Sequence, residues 1–498
     1  MKKTYIHSAL MLALAAGIVA CGHQDPEFAD LTKEEKEERT AINTFAYNAM
    51  NTYYLWNEEI ADAFSSWKML EDPIAKVKDA RYKDRSGKEI DKWTVLTDDI
   101  QSMISSTDGV GTTYGMDFNL YYYDSSKKTV CMVVTLTYPG SPAEKAGLKR
   151  GDVLVKIAGQ QLTESNYSTL LYDSFLHAKS CTLTDINAKE YKMTAIEMYE
   201  DPILVRKVFD LGDKKVGYLF FNSFTLNSCR DLAEAGRYFR SEGIESLILD
   251  LRYNGGGYVV TEAVLASMLA PEAEVKAGSV FETSVYNSTL KEAWGEDNTC
   301  FSEKITYTSG GKEYTVDLSG ANMGISHLYA IMTGGSASAS ESLLVGLMPY
   351  MDIKIFGQQS YGKYCTGIMY SAKNWYKDYS EALDESQRKA GDKYAGKWGI
   401  YVMIGRYADK YGNTPCMPDG FKPDYAVEDN PTEPYQLGDE REAMLSAVLA
   451  QIGGAGGTST KSGPARAASG APALGAQIPL ERDPVSLSHI LLPQGRPL

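Results

Sequence analysis

Three serines alternate with alanine in MTGGSASASESLL, residues 332–344, directly after the apolar run LYAIM. A linker, a phosphate cradle and a turn presenting a hydroxyl are the three readings of such a stretch. A linker does not normally sit between a strand-like run and a helix-forming segment such as ASESLLVGLM. A strand-turn-helix junction has a chemical use, because the turn exposes one hydroxyl and the helix points backbone N–H groups at it. A serine hydroxyl is a poor nucleophile until a base takes its proton. Of the five histidines, His7 falls in an apolar leader, His23 in the polar stretch after it and His489 in a low-complexity tail, leaving His177 and His327. G-x-S-x-G is absent at GSASASE, and His327 opens an apolar strand, where a structural role is expected. A Ser-His esterase using His327 or His177 stands as one rival. The other base is lysine, whose reference pKa of about 10.4 falls by several units on burial. Lys363, in IFGQQSYGKYCTG, follows the apolar strand MDIKIF beside Gly362, where the chain can turn a side chain inward.

The elements that must position these groups are legible as patterns. In SLILDLRYNGGGYVVTEAVLASMLA an apolar strand over 246–251 runs into Gly255–Gly257 and then into an Ala-rich segment of helical spacing, which is an αβ unit. GGGYVV fits neither G-x-G-x-x-G nor the lysine-bearing phosphate loop. ITYTSGGKEYTVDL reads as a β-rich excursion before the serine turn. From Gly109 the texture is of short strands, including YGMDFNLYYYD and TVCMVVTLTYPGSPAEKAGLKRGDVLVKIAGQQLT. Before that, Thr32 followed by Glu35 predicts a capping box opening a helical region that runs to about Ser106.

The segment PGSPAEKAGLKRGD, with Pro142, Ala143, Ala146, Gly147, Gly151 and Asp152, followed by the strand VLVKIAGQ, resembles a PDZ domain. Such a groove adds an extended peptide to a sheet edge and captures its terminal carboxylate on backbone N–H groups. The resemblance implies TYGMDF as the carboxylate loop, with Tyr114, Gly115, Met116, Asp117 and Phe118 binding peptide. A PDZ domain that only packs as a spacer is the bland alternative.

LDLRYNGGG, GSASASE and YGK, in that order and downstream of the PDZ-like region, resemble the carboxyl-terminal processing peptidases, the S41 serine peptidase family, over roughly residues 105 to 450. The resemblance implies a Ser–Lys dyad in a crotonase/ClpP-like αβ core, with Ser338 as nucleophile and Lys363, 25 residues on, as base. It also implies an oxyanion hole from the N–H of Ala339 and one from Gly256 or Gly257. Asp250 and Arg252 are expected to hold the glycine turn, and Ser336, Ser340 and Glu341 to serve as turn and helix-start residues. No metal or organic cofactor is implied. One departure stands out: many members carry glutamine four residues after the lysine, and here that position is Gly367, with Ser340, Gln358 and Gln359 as candidate substitutes.

A net charge of −15 without a Lys/Arg cluster excludes nucleic acid as a natural partner. MKKTYIHSALMLALAAGIVAC reads as a secretion signal, too short to span a membrane, whose IVAC end resembles a bacterial lipobox with Cys21 lipidated. The body is then expected to be exported and lipid-anchored to the cell envelope, on the periplasmic face or the surface of a Gram-negative outer membrane. The six later cysteines lack metal-binding spacing. The expected organisation is a multidomain α+β/αβ chain. Residues 1–21 are the signal, 22–106 a tether and helical N-terminal domain, 107–200 a PDZ-like domain, 201–453 the peptidase core and 454–498 a disordered tail outside the mechanism. The expected function is a serine endopeptidase acting on unfolded polypeptides whose free C-terminus the PDZ-like domain captures, with homo-oligomerisation left open. The alternative is a catalytically impaired peptide-binding or scaffold lipoprotein on the same fold.

Overall fold

The computed structural model describes residues 26–124, 126, 128–453, 474–479 and 489–492. The signal segment, Cys21 and most of the tail lie outside the described residues. Helix α1, Lys33–Tyr53, begins at the expected box: the Glu35 N–H donates to Thr32 Oγ1 at 3.2 Å and the Thr32 N–H to Glu35 Oε2 at 2.7 Å. Its stripe of Ile42, Phe45, Ala46, Ala49, Met50 and Tyr53 follows helical spacing and is fully buried. That stripe packs into the same hydrophobic core as the C-terminal half of the chain. Strand β1, Val95–Thr97, then joins a sheet of that core. The N-terminal region expected as a separate domain therefore shares one core and one sheet with the C-terminal half of the chain.

Strands β2 (Met116–Tyr122), β3 (Val130–Thr137), β4 (Val153–Ile157), β5 (Ser180–Asp185) and β6 (Glu190–Thr194) form an antiparallel sheet. Helices α2 (Pro142–Ala146) and α3 (Tyr167–Leu171) complete this PDZ-like unit, which has its own core around Leu120, Met132, Leu154 and Leu183.

The remaining chain supplies β7 (Ile203–Asp210), β8 (Lys215–Phe221), α4 (Ser228–Glu242), β9 (Ser246–Asp250), β10 (Gly257–Tyr258) and α5 (Val259–Leu269). There follow β11 (Val280–Tyr286), β12 (Asp297–Cys300), β13 (His327–Met332), α6 (Ala339–Leu347), β14 (Asp352–Gly357), β15 (Cys365–Ser371), β16 (Gly399–Ala408), β17 (Tyr425–Ala426) and α7 (Ala443–Ile452). One sheet has the order β7-β8-β9-β13-β14-β17, parallel from β8 onward. Every residue of β9 is buried, as a parallel strand covered on both faces requires. The glycine turn follows β9, the serine turn follows β13 and the lysine loop follows β14. All three lie at the carboxyl ends of adjacent parallel strands, where open αβ sheets place their ligands.

The expectation of an unstructured tail fails at two places. Strand β18 (Gln477–Ile478) adds antiparallel to β2, and β19 (His489–Ile490) lies between β10 and β15 in a second sheet of order β10-β19-β15-β16-β11-β12. Both are short strands held by pairing with other parts of the chain, which local composition cannot reveal. No helix among the described residues is long and apolar enough to cross a membrane. The six cysteines after Cys21 are free thiols, Cys300 exposed and the rest buried.

Candidate active site

Ser338 stands at the junction of the serine turn and α6 with φ 61° and ψ −113°. A non-glycine residue there costs of order 1–3 kcal/mol and persists only where its surroundings impose it. Those surroundings are hydrogen bonds. Ser336 Oγ donates to Leu251 O at 2.7 Å and Ser340 Oγ to Asn254 O at 2.8 Å, while the Ala337 N–H reaches the same Asn254 carbonyl at 3.1 Å. The outer serines thus bind the serine turn to the glycine turn. Ser338 Oγ is buried and has no hydrogen-bond partner among the described residues.

Glu341, in the first turn of α6, joins the serine turn to the lysine loop. Its carboxylate accepts from the N–H of Ser338 (3.0 Å), Gly362 (2.7 Å) and Lys363 (2.9 Å), and from Ser360 Oγ. Burial nevertheless raises its pKa to about 7 against those bonds. The sequence reading as a helix-start residue understates this position, because donors 19 to 22 residues downstream converge on it only in the fold.

Lys363 is fully buried, and desolvation pushes its pKa down to about 7, with Cys365, Asp91 and Glu341 pulling the other way. Its Nζ donates to the Tyr401 hydroxyl at 3.0 Å and lies 4.9 Å from the centre of that ring and 5.5 Å from the centre of Trp93. Aromatic faces stabilise a cation only in part. Trp93 comes from the N-terminal region and Tyr401 from β16, so neither is marked by the sequence around Lys363.

Gly367 packs against the Tyr401 ring and the Met403 side chain. A Cβ there would lie 2.5 Å from Tyr401 Cε2 and 2.6 Å from Met403 Cε, so the Tyr401 ring fills the space a longer side chain would use. Its hydroxyl accepts the hydrogen bond from Lys363 Nζ. The expected substitutes are engaged elsewhere: Ser340 with Asn254 O, Gln358 Nε2 with Glu428 and Gln359 Nε2 with Asp419 O.

The expected oxyanion donors divide. Ala339 is the first residue of α6, where no intrahelical acceptor exists for its N–H. Gly256, by contrast, donates its N–H to Asn254 Oδ1 at 2.9 Å and is removed from the set. Gly257 pairs with His489 of β19, and a Cβ on it would lie 2.3 Å from Phe224 O, so glycine alone fits. Behind the turn, Arg252 donates to Asp250 (2.7 Å) and Glu442 (2.6 Å) and, with Arg150 of the PDZ-like unit, to Asp429 (3.3 and 2.8 Å). The expected structural role of Asp250 and Arg252 thus extends to the seam between the units.

Neither candidate histidine reaches this site. His327 is half exposed beside Asp352 at the opposite end of β13, and His177 lies in the PDZ-like unit against Tyr172. His489, set aside as part of the tail, is the one wholly buried among the described residues. Its Nε2 lies 2.8 Å from Glu262 and 3.3 Å from Glu282. Burial alone would lower its pKa, but the two carboxylates outweigh this and hold it up at about 9. Two ligands of a tetrahedral ion would lie roughly 3.3 Å apart. The 2.8 Å contact is a charge-assisted hydrogen bond, so the trio reads as an ion cluster.

Residues 215–427 match the model of Peptidase family S41, and residues 133–174 match that of the PDZ domain. The chain carries an S41 peptidase domain. A Staphylococcus haemolyticus protein described as a CtpA-like serine protease is 24% identical over 355 residues, 71% of this chain and 61% of that one. Its Staphylococcus aureus (strain N315) counterpart is 27% identical over 250 residues, 48% of this chain and 43% of that one. The chain thus spans less than two thirds of the length of these relatives. A solved structure described as an S41 protease from Bacteroides fragilis superposes with a TM-score of 0.62 at 20% identity, covering 82% of this chain and 97% of that one.

Beside the S41 domain, the PDZ unit opens a cleft of about 550 Å³ lined by Tyr114, Met116, Phe118, Phe175, His177 and Lys179, among others. Tyr114 stacks on Phe175 with ring centres 4.9 Å apart and anchors its hydroxyl on Ala178 O at 2.6 Å. Two expected peptide-binding residues behave differently. The Gly115 N–H donates to Thr113 Oγ1 at 2.9 Å. Asp117 accepts from Asn222 Nδ2 at 3.1 Å, facing the S41 domain rather than the cleft.

Proposed function

We propose that this chain is a serine endopeptidase that cleaves unfolded polypeptides with Ser338 as nucleophile and Lys363 as general base. The observation that carries the reading is a lysine buried among aromatic rings, its pKa near 7, on the same carboxylate that holds the strained serine turn. A neutral Lys363 Nζ accepts the Ser338 hydroxyl proton as Oγ bonds to the scissile carbonyl carbon. The Ala339 N–H, at the start of α6, stabilises the oxyanion. The proton passes to the leaving amine, and water then releases the acyl group by the reverse assistance.

The PDZ cleft supports capture of a substrate C-terminus, with Leu176 exposed beside it as an apolar contact and Lys179 as a counter-charge. The apolar leader ending in Cys21 supports export and lipid anchoring at the cell envelope. The test incubates the full chain and its Ser338→Ala and Lys363→Ala variants with an unfolded protein, with and without a C-terminal amide, reading fragments on a gel. Cleavage lost in both variants is expected, with slower cleavage of the amidated substrate. Equal cleavage by the Ser338→Ala variant would overturn the nucleophile assignment. Binding without cleavage by the wild type would establish the scaffold reading.

A further inference from the structure

Residues 489–492 occupy a place in the S41 domain that a structural tail has no need to occupy. Strand β19 is parallel to β10, pairing His489 with Gly257 and Ile490 with Tyr258, and its other edge meets β15, where the Leu491 N–H donates to Gly367 O at 3.0 Å. Strand β10 ends the glycine turn, and β15 begins two residues after Lys363. The slot between them is one strand wide. The His489 N–H also reaches the Tyr401 hydroxyl at 3.2 Å, the same oxygen that accepts from Lys363. Ser338 and Lys363 are both fully buried.

The side chain of His489 fills a pocket whose floor is Glu262 of α5 and Glu282 of β11. Ser342, one turn after the nucleophile on α6, donates to Glu282, which puts the pocket directly beneath the serine turn. Burial and the neighbouring Glu282 outweigh His489 and hold the Glu262 pKa up at about 8, and the donors facing the pair are one imidazole nitrogen and the Ser342 hydroxyl. Nδ1 of the ring is spent on Thr366 Oγ1 at 2.7 Å, so only Nε2 faces the acids. Glu262 Oε1 is buried with no hydrogen-bond partner among the described residues. An unmet buried carboxyl oxygen carries a desolvation cost. An ammonium with three donors or a guanidinium with five can satisfy it where a single imidazole nitrogen cannot.

We infer that the slot between β10 and β15 is the polypeptide channel of the proposed peptidase, that its Glu262–Glu282 pocket selects a basic side chain, and that residues 489–492 occupy it as an internal inhibitor. The inference rests on the peptidase reading and deepens it. The segment pairs with β10 on one edge and β15 on the other, and its histidine side chain meets the Glu262–Glu282 pair. Substrates then compete with a tethered segment that satisfies the pocket incompletely, so a peptide bearing arginine or lysine displaces it more readily than a neutral one.

The test uses the full chain carrying His489→Gln or His489→Ala, with thermal unfolding run on each so that a misfolded variant is recognised. Labelled unfolded peptides differing only at one central residue, Arg, Lys or Gln, are titrated against the Ser338→Ala background and offered as substrates to the Ser338-intact chain. At least about tenfold tighter binding of the Arg and Lys peptides is expected on removing His489, with a similar gain in cleavage, and adding Glu262→Gln should erase the preference. A synthetic peptide of residues 486–495 should restore inhibition in trans, and its His489→Ala form should not. Unchanged cleavage and no preference for basic peptides in folded variants would overturn the inference while leaving the peptidase standing. A basic preference in binding with no cleavage by any Ser338-intact chain would sink the peptidase reading and keep the channel. If both His489 variants unfold, trans inhibition of the wild type by the peptide decides, and its absence counts against the inference.

Discussion

Replacing Tyr401 by phenylalanine removes one oxygen from the site and leaves the ring beside Lys363 in place. That oxygen accepts a 3.0 Å hydrogen bond from the lysine Nζ at a fully buried position. A hydrogen bond to a charged group contributes about 1.5–3 kcal/mol. One pKa unit corresponds to about 1.36 kcal/mol. The hydroxyl lone pair stabilises the ammonium, so its loss disfavours the protonated lysine and lowers a pKa already near 7 by about one to two units. In the proposed mechanism the base is active when neutral, so the wild-type kcat/KM should rise with pH through about 7, and the Tyr401→Phe profile should rise at lower pH. The lysine also loses its anchor, and a misplaced base costs about ten- to a hundredfold in kcat. The assay is kcat/KM for an unfolded peptide from about pH 5 to about pH 9, with thermal unfolding as a control. An acid limb that stays in place or moves upward, or a kcat within about twofold of wild type, would refute the role given to Tyr401.

The remaining predictions concern neighbouring groups. Lys363→Met abolishes cleavage yet raises the thermal midpoint at neutral pH. The unfolded lysine keeps its proton up to about 10.4 while the folded one releases it near 7, so the wild type carries a burial cost below about 7 that disappears as pH rises toward 10.4. A lower midpoint for the variant at neutral pH would contradict this. Gly367→Gln does not improve the site: its Cβ would lie 2.5 Å from the Tyr401 ring, so a loss of about 1–3 kcal/mol in denaturant unfolding is expected, partly recovered by adding Tyr401→Ala. Asn254→Ala removes the acceptor of the Gly256 N–H and the donor to Phe221 O, loosening the glycine turn. It should lower kcat by about tenfold or more with little change in KM, and an unchanged kcat would count against the turn's importance.

Local pattern carries its information where one stretch of chain both makes an element and bears the functional group. The serine turn is of this kind, because β13, the Gly/Ala/Ser turn and α6 are consecutive and their propensities mark the junction that presents Ser338. The glycine turn after β9, the capping box at Thr32 and the strands and short helix of the PDZ unit are legible for the same reason. Lys363 needed more than its neighbourhood, since nothing around YGK says that the side chain is buried, and its place came from the resemblance.

What surrounds the lysine was decided by tertiary structure alone. Trp93 arrives from the N-terminal region, Tyr401 from β16 and Glu341 from α6, and each acts through a contact that no sequence spacing encodes. The low-complexity tail shows the limit most clearly. Its composition reports that the segment cannot form a stable element by itself, which is a statement about local propensity. It says nothing of a slot between β10 and β15 that supplies pairing on both edges, or of two buried acidic side chains that meet His489 in the core. Residue order thus determines which segments can be strand, turn or helix, whereas burial and long-range pairing decide which side chains meet and in what state of charge.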